Sequence, residues 1–408
     1  MSLKNKIQQS AKNIFNDLVS VRRHLHQNPE LSFQEFHTAE YLASFLEKEN
    51  IPFKKGIAKT GIVALIKGTK PSSPFSSGEG AGGEAKVVAL RADMDALPIL
   101  ETNKIEYKSK NDGVMHACGH DVHMTSLLGA AKILNQLKNE FEGTVKLIFQ
   151  PSEEKSPGGA SVMIKEGVLE NPKVQSIIGQ HVYPQLEAGK VGMRAGNYMA
   201  SADEIYITVK GKGGHASAPH LLVDPIVIAS HIIIALQEVV SRNADPFTPS
   251  VLSFGKIIGN GANNVIPDEV KIDGTFRTYD EKWRIRALEL VKKKTIEIAK
   301  SMSGEAEVFL PAGYPFLKND EQLTQRAFSY AQQYLGNENV VELPMRMSSE
   351  DFSFYTHHVP GCFYRLGTGN ASKGITSNIH TSTFNIDESA LEIGAGLMAW
   401  MAVNELSA

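Results

Sequence analysis

Cysteine is scarce. The 408 residues contain two, Cys118 and Cys362, where a secreted chain of this size would carry several in bridges. A disulfide framework is therefore excluded, and a reducing, cytoplasmic compartment is expected. An excess of charge of either sign is missing too. Lys and Arg total 42 against 45 Asp and Glu, a net charge of -3 without a basic block, which argues against nucleic acid and anionic membrane as partners. Long uninterrupted apolar runs are absent. The most apolar stretch, Pro225 to Val240, contains His231, is too short and interrupted for a bilayer span, and reads as a buried helix. The opening MSLKNKIQQSAKNIF is polar and amphipathic and lacks the apolar stretch of a signal peptide.

What is present is the composition of a soluble globular protein, 42% hydrophobic and 21% charged, over a length that exceeds one hydrophobic core and so predicts two domains. Helical pattern fills Ile7 to Glu49, broken at Pro29. The segment from Lys70 to Glu84, rich in Pro, Ser and Gly, has nothing with which to pack a core and reads as a surface loop. Three apolar strand-like runs then end in carboxylates or histidine. Lys86 to Leu90 leads into Asp93 and Asp95, Thr144 to Phe149 into Glu153 and Glu154, and Val174 to Gly179 into His181. Helical segments, Thr125 to Phe141 and Ala160 to Leu169, separate them. This alternation is the signature of a largely parallel α/β sheet, in which ligands bind beyond the carboxyl ends of the strands. From about Tyr198 a β-α-β-β-α-β order predicts an inserted ferredoxin-like α+β domain over 198–312. Residues 1–197 and 313–408 would form one discontinuous catalytic domain, with a helix over Glu321 to Leu335, a strand over Cys362 to Gly367 and a closing helix from Asp387 to Asn404.

The densest chemistry lies in Met115 to Leu128, MHACGHDVHMTSLL. Cys118 and His120, separated by Gly119 in a turn ahead of a helix, can converge through sulfur and nitrogen on one ion, and thiolate with imidazole suits zinc. A buried cysteine beside a histidine is the alternative. The paired Glu153 and Glu154 follow an apolar strand and Pro151. One can ligate a metal while its neighbour acts as general base beside a water acidified by that metal. His181 and His380 each add an imidazole. Cys118, His120, Glu154, His181 and His380 together exceed what one tetrahedral ion uses and suffice for two if one ligand bridges. Asp93 and Asp95 are placed to orient ligands from behind.

These motifs, LRADMDALPI, MHACGHDVH, FQPSEE, GKGGHASAPH, NVIPDEV with GTFRT, SEDF and IHTSTFNID, resemble the aminoacylase/carboxypeptidase family of dinuclear metallopeptidases. The similarity is greatest to its hippurate hydrolase and indoleacetyl-amino-acid hydrolase branch, and it runs from about Asp17 to Leu397 with the motifs in family order. The resemblance implies an α/β catalytic domain interrupted by a smaller lid domain through which homodimers form. It implies two divalent ions, zinc or manganese, with cobalt or nickel accepted by the same donors. Cys118 would bridge them, with His120, Glu154, His181 and His380 as the remaining ligands, Glu153 as general base and Asp95 as the orienting acid. Asp93 occupies a position where other branches carry a metal histidine, and His120 is taken to compensate. His215 matches the lid histidine that reaches the partner's active site, and Asn264 and Arg277 match lid positions near the substrate's carboxylate. The implied activity is hydrolysis of N-acyl-amino acids, or of short peptides from the carboxyl end. The alternatives are deacetylation of an N-acetyl-diamino acid and a non-catalytic metal-containing binder. His116, His123, His220, His357 and His358 receive no role.

Overall fold

In the computed structural model, which describes residues 1–70 and 86–408, four parallel strands form the middle of an eight-stranded sheet: Thr144–Gln150, Val87–Asp93, Ser176–Glu187 and Gly361–Gly369. Three of the four, all but Ser176–Glu187, are buried along their entire length, as expected of parallel strands covered on both faces. Antiparallel Gly61–Lys67 and Phe53–Ile57 extend one side. Val191–Met193, antiparallel to Gly361–Gly369, and then Val340–Glu342 extend the other. The Pro71 to Glu84 loop of the sequence reading lies outside the described residues.

The helices His120–Gln136 and Ala390–Leu406 pack closely, and the second is apolar all round because it is buried on nearly every side. A Cβ at Gly129 would sit 2.6 Å from that of Ala395, so this glycine permits the close approach. The helical opening is three helices, Leu3–Asn13, Phe15–Gln27 and Phe36–Lys48, with the break after Gln27 next to Pro29 as expected and a further one at Ile14. The strand expected to stop at Gly179 continues to Glu187. Its second half pairs with Gly361–Gly369, His181 opposite Arg365, and a partner from so far along the chain leaves no local signal in the sequence.

The chain divides into two compact units. One comprises Met1–Gly196, Lys318–Pro344 and Phe354–Ala408, the other Asn197–Leu317 with Met345–Ser353. In the second unit four antiparallel strands run in the order Ser250–Ile258, Glu269–Thr278, Asp203–Lys210, Glu305–Phe309. Helices Pro225–Asn243 and Glu281–Ser301 cover one face and share its core with Ile205, Ile207 and Val209, which is the ferredoxin-like arrangement. Pro225–Asn243 departs from the sequence reading. It has 19 residues, and by length and composition alone it is apolar enough to cross a bilayer. Nor is it buried throughout: Ile228, Ala229, Ile232, Leu236 and Val239 face the core, while Ile226, Val227 and Ile234 are exposed.

In the first unit the helix Phe15–Gln27 is fastened to His120–Gln136 by charge. Arg22 Nε and His26 Nδ1 both lie 2.8 Å from Asp121 Oδ2, with all three side chains buried. Burial alone would raise the Asp121 carboxyl, but Arg22 and His26 hold it far below the usual carboxylate range. The stability this contributes is present above the unfolded value of about 4 and is lost as pH falls toward the depressed folded value. Replacing Arg22 with Met strands a buried carboxylate. Urea unfolding is expected to show a loss of about 3–5 kcal/mol near neutrality, with a shallower acid-side decline than in the parent.

Candidate metal centre

Four segments of the first unit deliver the predicted ligands. The helix His120–Gln136 begins at His120 itself, because Gly119 turns the chain with φ 83° at the N-cap. That conformation costs an L-residue about 1–2 kcal/mol, and a Cβ there would also lie 2.5 Å from Val182 Cγ2. Cys118 is left just ahead of the helix and His120 on its first turn. His181 projects from the prolonged strand Ser176–Glu187. His380 sits on left-handed backbone, φ 61°, with its N–H donating to the Ala117 carbonyl at 2.8 Å, which pins the C-terminal loop beside Cys118.

Glu153 and Glu154 follow the strand Thr144–Gln150 through Ser152, a non-glycine residue at φ 49°. Two buried carboxylates hold this turn. Glu35 accepts from the Ser152 N–H at 2.9 Å and from the Thr60 hydroxyl at 2.7 Å. Asp95 accepts from the N–H groups of Glu153 and Glu154 at 2.9 and 3.0 Å and from the Ser32 hydroxyl at 2.6 Å. Asp95 thus fixes the backbone that carries both glutamates, and sequence reasoning missed Glu35 and Ser32 beside it. A glutamate and a serine flanking a proline break look like ordinary helix-start residues.

The ligand atoms converge. Cys118 Sγ lies 3.4 Å from His181 Nε2 and 3.3 Å from His380 Nε2. Glu154 Oε1 is 3.2 Å from His380 Nε2 and 3.9 Å from His120 Nε2. Donors about 2.0–2.3 Å from a tetrahedral ion stand roughly 3.3–3.8 Å from each other, so these separations match those around a cation. Cys118, His120 and His181 form one group whose ligand atoms all lie within 4.8 Å of one another, and Cys118, Glu154 and His380 form another. The thiol belongs to both. The first group is buried, whereas the His380 side chain in the second is 50% exposed.

Electrostatics supports the same fit. Burial, then Glu154 and Glu153, push the Cys118 thiol well above its usual range. His181, buried and close to Arg365, is pushed well below its own and stands neutral, as a metal ligand must. Burial opposes charging His120, yet Asp93, Asp95 and Glu154 raise it to about 10. Both its ring nitrogens are buried without a hydrogen-bond partner, as is Glu154 Oε1. An excess of buried negative charge around unsatisfied donor atoms is what a divalent cation would balance. His116, for which the sequence suggested no role, is also buried without a partner at either nitrogen, and burial pushes it down to about 3.

The other three predicted residues belong to the second unit. There, Gly214–His215 pairs with Val265–Ile266, and the Asn264 carbonyl accepts from the Ala216 N–H, so His215 and Asn264 are neighbours. The Ser217 N–H donates to His215 Nδ1 at 3.1 Å, leaving Nε2 as the protonated nitrogen of the neutral ring. Arg277, which donates to Ser349 Oγ at 3.0 Å, is at the opposite end of the sheet. From Glu269 to Arg277 the strand spans roughly 27 Å at about 3.4 Å per residue.

Residues 89–404 match the model of peptidase family M20/M25/M40. Over 396 residues the chain is 41% identical to an IAA-amino acid hydrolase ILR1-like 4 of Arabidopsis thaliana, covering 96% of this chain and 86% of that protein. It is 38% identical over 374 residues to an N-acetyl-L-cysteine deacetylase of Bacillus subtilis, covering 92% and 84%. Its fold is similar to the crystal structure of the Bacillus subtilis YXEP protein, a dinuclear metal binding peptidase. The TM-score is 0.79 at 35% identity, over 97% of this chain and 99% of that one.

Gly119→Ala tests the turn on which the centre is built. It is expected to lower stability by about 2 kcal/mol or more in chemical denaturation and to reduce the zinc retained per chain, measured by elemental analysis after dialysis.

Proposed function

Because the chain belongs to peptidase family M20/M25/M40, we propose that it is a metal-dependent amidohydrolase which cleaves N-acyl-amino acids, or short peptides from the carboxyl end. The observation that carries this reading is the Cys118 thiol within 3.4 Å of His181 and 3.3 Å of His380, a donor common to two ligand groups. Cys118, His120 and His181 would hold one divalent ion, and Cys118, Glu154 and His380 the other. Zinc suits this mixture of thiolate, imidazole and carboxylate, and manganese, cobalt or nickel are the other candidates. When bound, such ions acidify a water and polarise the amide carbonyl.

The protein's own groups supply the proton traffic. Glu153, fixed through its backbone by Asp95, takes a proton from the attacking water and returns it to the departing amine. His215, with Nδ1 accepting from Ser217, offers Nε2–H to the developing oxyanion. Arg277 pairs with the substrate's carboxylate, and Asn264 contributes from the loop beside His215. Since Arg277 and His215 stand at opposite ends of one lid, a single substrate would meet the two from different copies of the chain. The apolar exposed side of Pro225–Asn243 and the sheet-edge strand Ser250–Ile258, with Val251, Ile257 and Ile258 exposed, support a homodimer through this unit. Two buried unpaired thiols accord with the cytoplasm. Removal of an acetyl group from an N-acetylated amino acid, supported by the deacetylase relative, would use the same residues.

Glu153→Gln should keep its metal content near that of the parent while turnover on hippurate and N-acetyl-amino acids falls by about 10²–10⁴. Parental turnover in this variant would remove Glu153 from the mechanism. Mixing His215→Ala with Arg277→Ala chains, each inactive alone, should restore up to about half of the activity in mixed dimers, because one site then receives both intact groups. No recovery would put both residues in one copy.

A further inference from the structure

His123 lies on the metal-bearing helix, buried, and does not touch the thiol that the two ligand groups share. Its Nδ1 is 2.6 Å from Asp93 Oδ1, and its Nε2 accepts from the Val182 N–H at 2.9 Å. An acceptor role at Nε2 beside a carboxylate at Nδ1 allows one form of the ring, neutral with the proton on Nδ1. The carbonyl of the same Val182 accepts from His181 Nδ1 at 2.8 Å, which leaves His181 Nε2 unprotonated and turned toward Cys118 Sγ. Asp93 is itself held by Arg91 at 2.5 Å, and its Oδ1 lies 3.7 Å from His120 Nδ1.

We infer that Asp93 and His123 form a brace behind the buried ligand group, fixing through the Val182 backbone which nitrogen His181 presents to the ion. This rests on the reading of Cys118, His120 and His181 as ion ligands. Asp93, His120 and His123 also lie within 4.8 Å of one another. Both nitrogens of His123 and both oxygens of Asp93 already have partners there, so that cluster orients and does not itself bind an ion. His123 and Asp93 are positioning residues: neither supplies a donor to the ion, yet each determines how well a donor is aimed.

The two halves of the brace separate by side-chain length. His123→Gln places a carboxamide oxygen near the original Nε2 and keeps an acceptor for the Val182 N–H. His123→Asn reaches only toward Asp93 and leaves that N–H without a partner. Zinc affinity and stoichiometry, measured by competition with a chromophoric chelator and elemental analysis, should show the tighter ion weakened about 10–100-fold in His123→Asn. In His123→Gln it should stay within a few-fold of the parent. The melting temperature of the metal-free proteins reports packing separately, and a residue that merely filled space would leave Asn and Gln alike in zinc affinity. Equal, parental affinity in both variants overturns the inference. If either variant fails to fold, nitrogen-15 spectra of the histidine-labelled parent decide: His123 and His181 should each carry their proton on Nδ1, and an Nε2-protonated His181 overturns it. A parent chain that binds no zinc, like a His181→Ala control, instead overturns the underlying reading of the ligands.

Discussion

Asp95 accepts hydrogen bonds from two successive backbone N–H groups and a serine hydroxyl, and its Oδ1 lies 3.3 Å from the His120 ring. With both oxygens engaged and its side chain buried, this one carboxylate joins the segment around Ser32, the end of the strand Val87–Asp93, the turn carrying Glu153 and Glu154, and the first turn of the helix His120–Gln136. Burial would raise such a carboxyl, but His120, Ser32 and the Glu153 N–H hold it below the usual range, so it stays ionised and acceptor-only. The rest of the centre inherits its spacing from that knot.

Around it the charge is deliberately unbalanced. Asp93, Asp95, Glu153 and Glu154 crowd one thiol and four imidazoles, and the buried cation nearest to Asp93 is Arg91, engaged with Asp93 and Gln150. In such surroundings Asp93, Asp95 and Glu154 favour positive charge at His120 against its burial, and positive charge is what the cluster lacks. The backbone follows the same demand. Ser152 and His380 both adopt positive φ without being glycine, a cost sustained where the surrounding bonds leave no alternative.

Much of this was legible in the residues. Strand runs that lead into Asp93, Glu153 and His181 pointed to residues that the fold gathers beside Cys118 and His120, and the helix Glu321–Leu335 and the strand Ser250–Ile258 have the limits their periodicity predicts. What escaped depends on contacts between distant segments. The strand through His181 looked finished at Gly179 because its remaining partner lies near the C-terminus. Glu35 and His123 gave no signal, since a carboxylate that caps a remote turn and an imidazole that holds a remote peptide resemble ordinary polar residues until the chain is folded. The helix Pro225–Asn243 misled in another way: its composition says apolar, but whether the second apolar side meets a core or the outside depends on the unit it packs into.

The position of Gly361–Gly369 in the sheet governs how the protein can be made. It lies between Ser176–Glu187 and Val191–Met193, yet the ribosome delivers it more than 170 residues after the first of them (361 − 187 = 174). Through that interval the nascent chain holds an open parallel edge, with His181 in place and no neighbour beyond it. The second unit meanwhile emerges with a core of its own and can consolidate first. Synthesis therefore finishes the second unit before the large sheet, and His380 arrives only when that sheet can close.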